Sequence, residues 1–373
     1  MTEARIEEHR FPCPTCGSDL RYLPGTTLLH CDHCGAEQEI EGEASGPWGG
    51  AKTLAEQDFA AAVDRTLPEA EMEETRVSSC PSCGAQVEFD PDTHAAECPF
   101  CATPVVTDTG THRHIKPRGV LPFLLTEREA RDAMTRWLGR LWFAPSGLTD
   151  YARKGRRMQG IYVPYWTYDA DTKTRYTGQR GIVHHETRMV RVMVNGKPQT
   201  RSQQVAKVRW TPVSGRVARF FDDVLVLASR SLPKQYTDAL APWDLHGLMP
   251  YAPEYLAGFR AEAYQVPLEE GYAEARAIME AQIRRDIRFD IGGDRQQIGR
   301  VETDISGLTF KHVLLPVWLA AYKYNGQTYR FVVNARTGAV QGERPWSAWK
   351  IAVAVVLLVT VAAAVGYVVA VTQ

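Results

Sequence analysis

The chain has 373 residues, with 43 Lys and Arg against 44 Asp and Glu, 44% hydrophobic and 10% aromatic residues. That composition excludes a disordered polyelectrolyte, a collagen or a mucin and leaves room for two or three packed domains. The near-neutral total hides an asymmetry: residues 1–100 carry 20 acidic and 6 basic side chains, net −14, which leaves about +13 for the rest. Residues 1–20 contain no apolar signal stretch, so the eight cysteines are expected to stay reduced and to bind metal rather than form disulfides.

Cys13, Cys16, Cys31 and Cys34 form CxxC, a gap of fourteen residues, and CxxC; Cys80, Cys83, Cys98 and Cys101 repeat the arrangement with the same gap. A CxxC turn lets two thiolates face one tetrahedral ion about 2.3 Å away, and a hairpin of this length brings the second pair across. The spacing predicts two zinc ribbons, over 11–41 and 80–106, each holding a structural Zn2+ with no open coordination position. Gly17, Gly35 and Gly84 follow the second cysteine of their knuckles, where positive φ is needed, while Ala102 breaks the pattern. His30, His33 and His94 are read as surface residues, because the cysteine quartets are already complete.

Ribbons often bind nucleic acid, but these two carry the wrong charge for it. Residues 11–41 have Arg21 as their only cation against Asp19, Asp32, Glu37, Glu39 and Glu41, and residues 80–101 have no Lys or Arg. Phosphate contacts require such cations, so protein binding or a structural role is favoured. Between the ribbons, 42–79 reads as an acidic linker; its LAEQDFAAAVDR stretch puts Ala55, Phe59 and Val63 on one helical face, to dock on a ribbon or a partner, or simply to stay solvated.

After a basic linker at 111–119, the region 111–345 reads as α+β with an internal duplication. LPFLLTEREARDAM (121–134) matches VPLEEGYAEARAIM (266–279), and VPYW (163–166) matches LPVW (315–318) at nearly the same offset. The repeated units are about 120–180 and 264–342, each a helix followed by antiparallel strands. Thr126 with Glu129 predicts a capping box, Asn195-Gly196 and Asn325-Gly326 predict hairpin tips, and Arg336-Thr337-Gly338 closes the last strand pair. A strand-rich insert at about 173–219 holds 11 Lys and Arg against the single acid Glu186. Lys173 and Arg175, and Lys207 and Arg209, alternate with other residue types, so several strands are expected to share a cationic face. With the cluster Arg153, Lys154, Arg156 and Arg157, this face is assigned to anionic lipid, with nucleic acid and the acidic first hundred residues as the alternatives.

Ile351 to Val371 runs 21 residues without a charge, about 30 Å of helix and the thickness of a hydrocarbon core. A single transmembrane helix is predicted there. Trp346, Trp349 and Lys350 precede it at headgroup level. With Arg344 and Lys350 before the span and no Lys or Arg after it, residues 1–350 are expected in the cytoplasm, tail-anchored in the inner membrane. Enzyme signatures are missing: Gly196-Lys197 is followed by Pro198 rather than a hydroxyl residue, and GxSxG and HExxH do not occur. VPYW and LPVW are read as packing, and neither His184-His185 nor His112 with His114 as a ligand set.

With CPTC, CDHC, CPSC and CPFC in front, VPYWTYDA in the middle and LPVWLAAYKYNGQTYRFVVNARTGAVQGERPWS before a membrane helix, the chain resembles the bacterial TFIIB-type zinc-ribbon membrane proteins over nearly its whole length. Such proteins are often labelled primosomal protein N′ or superfamily II helicase-like. That label does not carry over, since the chain lacks a phosphate-binding loop. The resemblance implies an SPFH-domain or phage-shock-type partner at the membrane. The expectation is a non-enzymatic scaffold or anchor of a membrane-maintenance assembly; the alternatives are a membrane-tethered nucleic-acid binder and an accessory subunit of a helicase-like system.

Overall fold

The computed structural model of the chain describes residues 11–40, 54–88, 95–101, 103–106, 110–145, 158–194, 197–324 and 327–372. Its main elements are strand β1 (Gly119–Val120), helix α1 (Glu127–Gly139), strands β2 (Gln159–Val194) and β3 (Lys197–Leu227), helix α2 (Leu268–Ile291), strands β4 (Arg295–Tyr324), β5 (Gln327–Asn334) and β6 (Val340–Gly342), and helix α3 (Ala348–Thr372). β2 pairs antiparallel with β3 from Tyr165↔Leu227 to Val194↔Lys197, and on its other side with β4 from Gln159↔Leu319 to Gly181↔Arg295. Along the far side of β4 come Gln57–Asp58, then β1 in parallel, then β5, which in turn pairs with β6.

The three long strands owe their length to cover that changes along them. Ile161 to Ala170 are buried without a break, because both faces of the sheet are covered there, and the sequence IYVPYWTYDA accordingly shows no alternation. From Asp171 onward cover remains on one face only: Asp171, Lys173 and Arg175 are exposed while Thr172, Thr174 and Tyr176 are buried.

Helix α2 supplies that one-sided cover. Its buried residues Gly271, Ala275, Met279, Ile283, Ile287 and Ile291 recur every fourth position, so the stripe drifts about 40° per step around the helix, which suits packing along twisted strands. Two aromatic side chains of β2 fix its start: Trp166 Nε1 donates to Val266 O at 2.9 Å and Tyr168 Oη to Leu268 O at 2.7 Å. A Cβ on Gly271 would lie 2.5 Å from Tyr168 Oη, so only glycine allows this approach. Helix α1 begins with the expected capping box, Thr126 accepting from Glu129 N and the Glu129 carboxylate accepting from Thr126 N. It packs on β5, where Trp137 meets Phe331 edge to face.

Several sequence boundaries move. The basic insert is not separate from the first α+β unit: 159–227 is one continuous hairpin, because the same alternating pattern feeds a single ladder past residue 173. The two expected tips, Asn195-Gly196 and Asn325-Gly326, lie outside the described residues. The second ribbon also reaches further than its cysteines, since Met72–Ser79 pairs with Gln86–Glu88 and with Gly110–Ile115, so parts of both presumed linkers are strand. Among the described residues of the first linker, Phe59–Val63 is α-helical and Glu69–Glu71 forms one 3-10 turn. Phe59 packs on Tyr272 of α2 at 4.9 Å and Tyr168 at 6.3 Å, while Ala55 and Val63 stay exposed; its dock is the sheet-and-helix core, not a ribbon.

Candidate metal centres and the apolar C-terminal helix

Both cysteine quartets converge. Within each, all four sulfurs lie within 4.8 Å of one another. Cys13 and Cys34 Sγ are 3.5 Å apart and Cys16 and Cys31 3.6 Å; Cys80 and Cys101, and Cys83 and Cys98, are each 3.6 Å apart. A tetrahedron with metal–sulfur bonds of about 2.3 Å has edges of about 3.8 Å, so either cluster could hold such an ion with little adjustment. The turns that aim the sulfurs are alike. Gly17, Gly35 and Gly84 donate to the carbonyls of Cys13, Cys31 and Cys80, at φ of +77°, +73° and +74°. At the fourth knuckle the Cys98 amide bonds to Thr103 O at 2.8 Å, while Ala102 is outside the described residues.

The thiols share charge unevenly. The Ser18 amide lowers Cys16 to about 6, and the Cys83 thiol, by hydrogen bonding, lowers Cys98 to about 5. Their neighbours move the other way: bonding to Cys98 holds Cys83 well above the ordinary thiol range, and at Cys34 the lowering by the Ala36 amide is outweighed by the bond to Cys16, leaving it at about 12. Four sulfurs this close resist becoming four thiolates by themselves, and a divalent cation supplies the missing attraction.

The two ribbons pack on opposite faces of the sheet and are part of its core. On one face, Cys13, Leu20, Tyr22, Leu29 and Cys31 share a buried cluster with Phe123, Tyr162, Leu314 and Trp318. Tyr22 N donates to Ala257 O and Gly25 N to Phe123 O, each at 2.9 Å. On the other face Cys80, Ala85, Val87, Cys98 and Phe100 join Leu121, Ile161, Val163, Leu315 and Val317. There Ala263 N donates to Gln86 O, and the buried Glu262, which accepts from Ser229 Oγ at 2.9 Å and from Ser231 Oγ, is pushed up to about 8 by burial.

At the other functional feature, α3 begins almost at once after β6. Within Ala348–Val371 the most apolar stretch has a mean hydropathy of 2.7, and none of that stretch is buried. Trp346 and Trp349 lie here, 57% and 77% exposed, with the Arg344 guanidinium 4.4 Å from the Trp346 ring centre. Lys350 Nζ does not extend freely; it donates to Ala144 O at 2.8 Å, and Ser347 N donates to Phe143 O at 2.8 Å. The end of the α1 segment is thus tied to the root of α3, which sequence reasoning missed; the aromatic pair Trp142-Phe143 was the available signal.

The structure does not bring the predicted cations together. Lys173 and Arg175 lie on one face of the β2–β3 hairpin, where Arg175 approaches Asp304 at 3.7 Å. Lys207 and Arg209, opposite His184 and Ile182, point to the other face, and Lys207 pairs with Glu186. The single cationic face is therefore corrected to two, because the unbroken register from Asp171 to Val194 sets side by parity. Nor do they lie beside α3. Gly160 is opposite Trp318 near the β5 and α3 end, and Ile182 is 22 residues further along β2, about 70 Å of strand. Arg153, Lys154, Arg156 and Arg157 lie outside the described residues.

One polar cluster had no sequence signal. Lys311, buried in β4, pairs with Asp169 at 3.0 Å, Asp223 at 2.9 Å and Glu56 at 3.5 Å. Burial opposes its charge, but Asp223 and Asp169 outweigh that and hold it above the ordinary lysine range. Since Glu56 precedes the Gln57–Asp58 strand, Lys311 also fastens the segment between the ribbons to the sheet.

No family model matches the chain, and no solved structure matches it. The similarity found is to an uncharacterized protein. The chain is 25% identical over 343 residues to the uncharacterized protein YdjG of Bacillus subtilis (strain 168), an alignment covering 92% of each.

Proposed function

We propose that the chain is a non-enzymatic, tail-anchored protein of the cytoplasmic membrane, with α3 in the bilayer and the body in the cytoplasm, acting as scaffold or anchor for a protein assembly that maintains the membrane. The observation that carries this reading is the apolar helix α3, whose most apolar stretch is nowhere buried, rooted directly in a body braced by two cysteine quartets. Zn2+ suits both quartets, and four thiolates leave no position for water or substrate, so the ions hold structure. The cations Arg344 and Lys350 just before the span support the orientation. The likeness of VPYW to LPVW, which lie on neighbouring strands and meet at the pair Val163↔Leu315, favours an origin by duplication. The resemblance to TFIIB-type zinc-ribbon membrane proteins suggests an SPFH-domain or phage-shock-type partner, and the exposed knuckles of the ribbons are the surfaces proposed to meet it.

The test is purification of the intact chain from detergent-solubilised membranes, metal analysis, and capture of partners with and without Cys80→Ser and Cys83→Ser. Expected are membrane recovery, close to two zinc ions per chain, and loss of a ribbon-bound partner in the variant. Recovery in the soluble fraction, or a metal-free chain after reducing purification, would overturn the proposal.

A second reading is favoured by the β2–β3 hairpin beyond Gly181, which is paired with no further strand among the described residues and carries Arg188, Arg191, Lys197, Arg201, Lys207 and Arg209 against Glu186. A two-stranded ribbon fits a DNA major groove. DNA affinity falling steeply with salt, and lost when these cations are reversed, would favour nucleic acid over a protein partner.

A further inference from the structure

We infer that the segment leaving α1, Leu141 to Ala144, is a second membrane contact, with Trp142 and Phe143 seated in the headgroup layer of the bilayer that α3 crosses. The inference rests on the membrane reading of α3 and goes beyond it, because it fixes how the body sits at the bilayer. Trp142 is 80% exposed, an unusual place for an indole in water, and its exposure has a particular location. It lines a groove of about 520 Å³ together with Trp349, Lys350, Val353, Leu357 and Val361 of α3, so the indole faces the first turns of the span itself.

The tether that holds it there is short and double. Ser347 N bonds to Phe143 O and Lys350 Nζ to Ala144 O, each at 2.8 Å, and the Phe143 and Trp346 rings are 6.3 Å apart. Trp142, Phe143, Trp346 and Trp349 therefore gather where the helix enters lipid, the level at which amphipathic rings are most stable. The Lys350 ammonium, which alone would reach up from the span, instead uses its charge to satisfy a backbone carbonyl of this segment and so draws it down to the interface. A helix alone leaves a body free to rotate and tilt; a second contact away from the helix axis removes much of that freedom. The occupant of the groove is lipid, because the groove is continuous with the surface of α3 and most of its lining is apolar.

The test uses the full chain in vesicles of phosphatidylcholine and phosphatidylglycerol, with a photoreactive benzoylphenylalanine in place of Trp142, of Leu357 within α3, or of Phe289, which is 91% exposed on α2. Lipid adducts are read by mass spectrometry. Expected are adducts at 142 and 357, with yield at 289 at least tenfold lower. Adducts at 357 without adducts at 142 overturn the second contact and leave the membrane reading standing. Adducts at neither position overturn the membrane reading and this inference with it. Comparable yields at all three mark general adsorption and overturn the second contact.

Discussion

The packing of the second ribbon predicts that its metal site and the sheet unfold together, and Phe100→Ala tests this. Phe100 is wholly buried between Cys98 and Cys101 and shares a cluster with Leu121, Ile161, Val163 and Leu315. Truncating a buried Phe to Ala costs about 3–5 kcal/mol through lost transfer energy and an unfilled cavity, a large part of a typical stability of about 5–15 kcal/mol. The variant keeps every metal ligand. In urea unfolding of the full chain in mild detergent, tryptophan emission reports the sheet, where Trp166 and Trp318 are buried, and a metal-sensitive dye reports release from the cysteines. With a slope of about 2–3 kcal/mol per molar urea, both midpoints should fall by about 1–2.5 M and stay coincident. Metal release at lower urea with the tryptophan transition unmoved would refute the reasoning, since it would make the ribbon a separate module hung on the body.

Three further outcomes follow from single contacts. Thr126→Ala removes the cap of α1 and should cost about 1 kcal/mol in thermal unfolding, with Thr126→Ser restoring most of it. Gly271→Ala gains about 1 kcal/mol of helix propensity but drives a methyl to 2.5 Å from a Tyr168 hydroxyl fixed on Leu268 O; overpacking of about 1–3 kcal/mol should win, and a stabilised variant would contradict the close approach. Glu262, pushed up to about 8 by burial, binds its proton more tightly in the folded chain than in the unfolded one. Its contribution is full below the unfolded value near 4.5 and is lost as pH rises through about 8, at most roughly 5 kcal/mol. Glu262→Gln should flatten stability against pH over that window, and an unchanged slope would assign the loss elsewhere.

What could be read from the residues, and what could not, follows the range of each interaction. The cysteine quartets, the capping box at Thr126 and the apolar run of α3 depend on spacing along a few turns of chain, and each stands where the spacing put it. The Lys311 cluster depends on residues from 56 to 311 meeting, and no local pattern marks a lysine that will be buried. The basic stretch was legible as charge but not as geometry. Alternation told which residues of one strand share a face, yet whether Lys173 and Lys207 agree depends on the register across the hairpin, and a shift of one residue would have reversed the answer. The same ladder decides how far those cations stand from α3. An electrostatic screening length of about 8–10 Å is small against about 70 Å of strand, so, with α3 in a bilayer as proposed, the cations beyond Gly181 add nothing to holding it there unless the hairpin lies along the lipid. Reversing the charges of Lys207 and Arg209 should therefore leave the salt resistance of membrane binding unchanged, while the binding of any polyanion to the hairpin weakens; loss of membrane retention in that variant would mean that the long strands lie flat on the lipid.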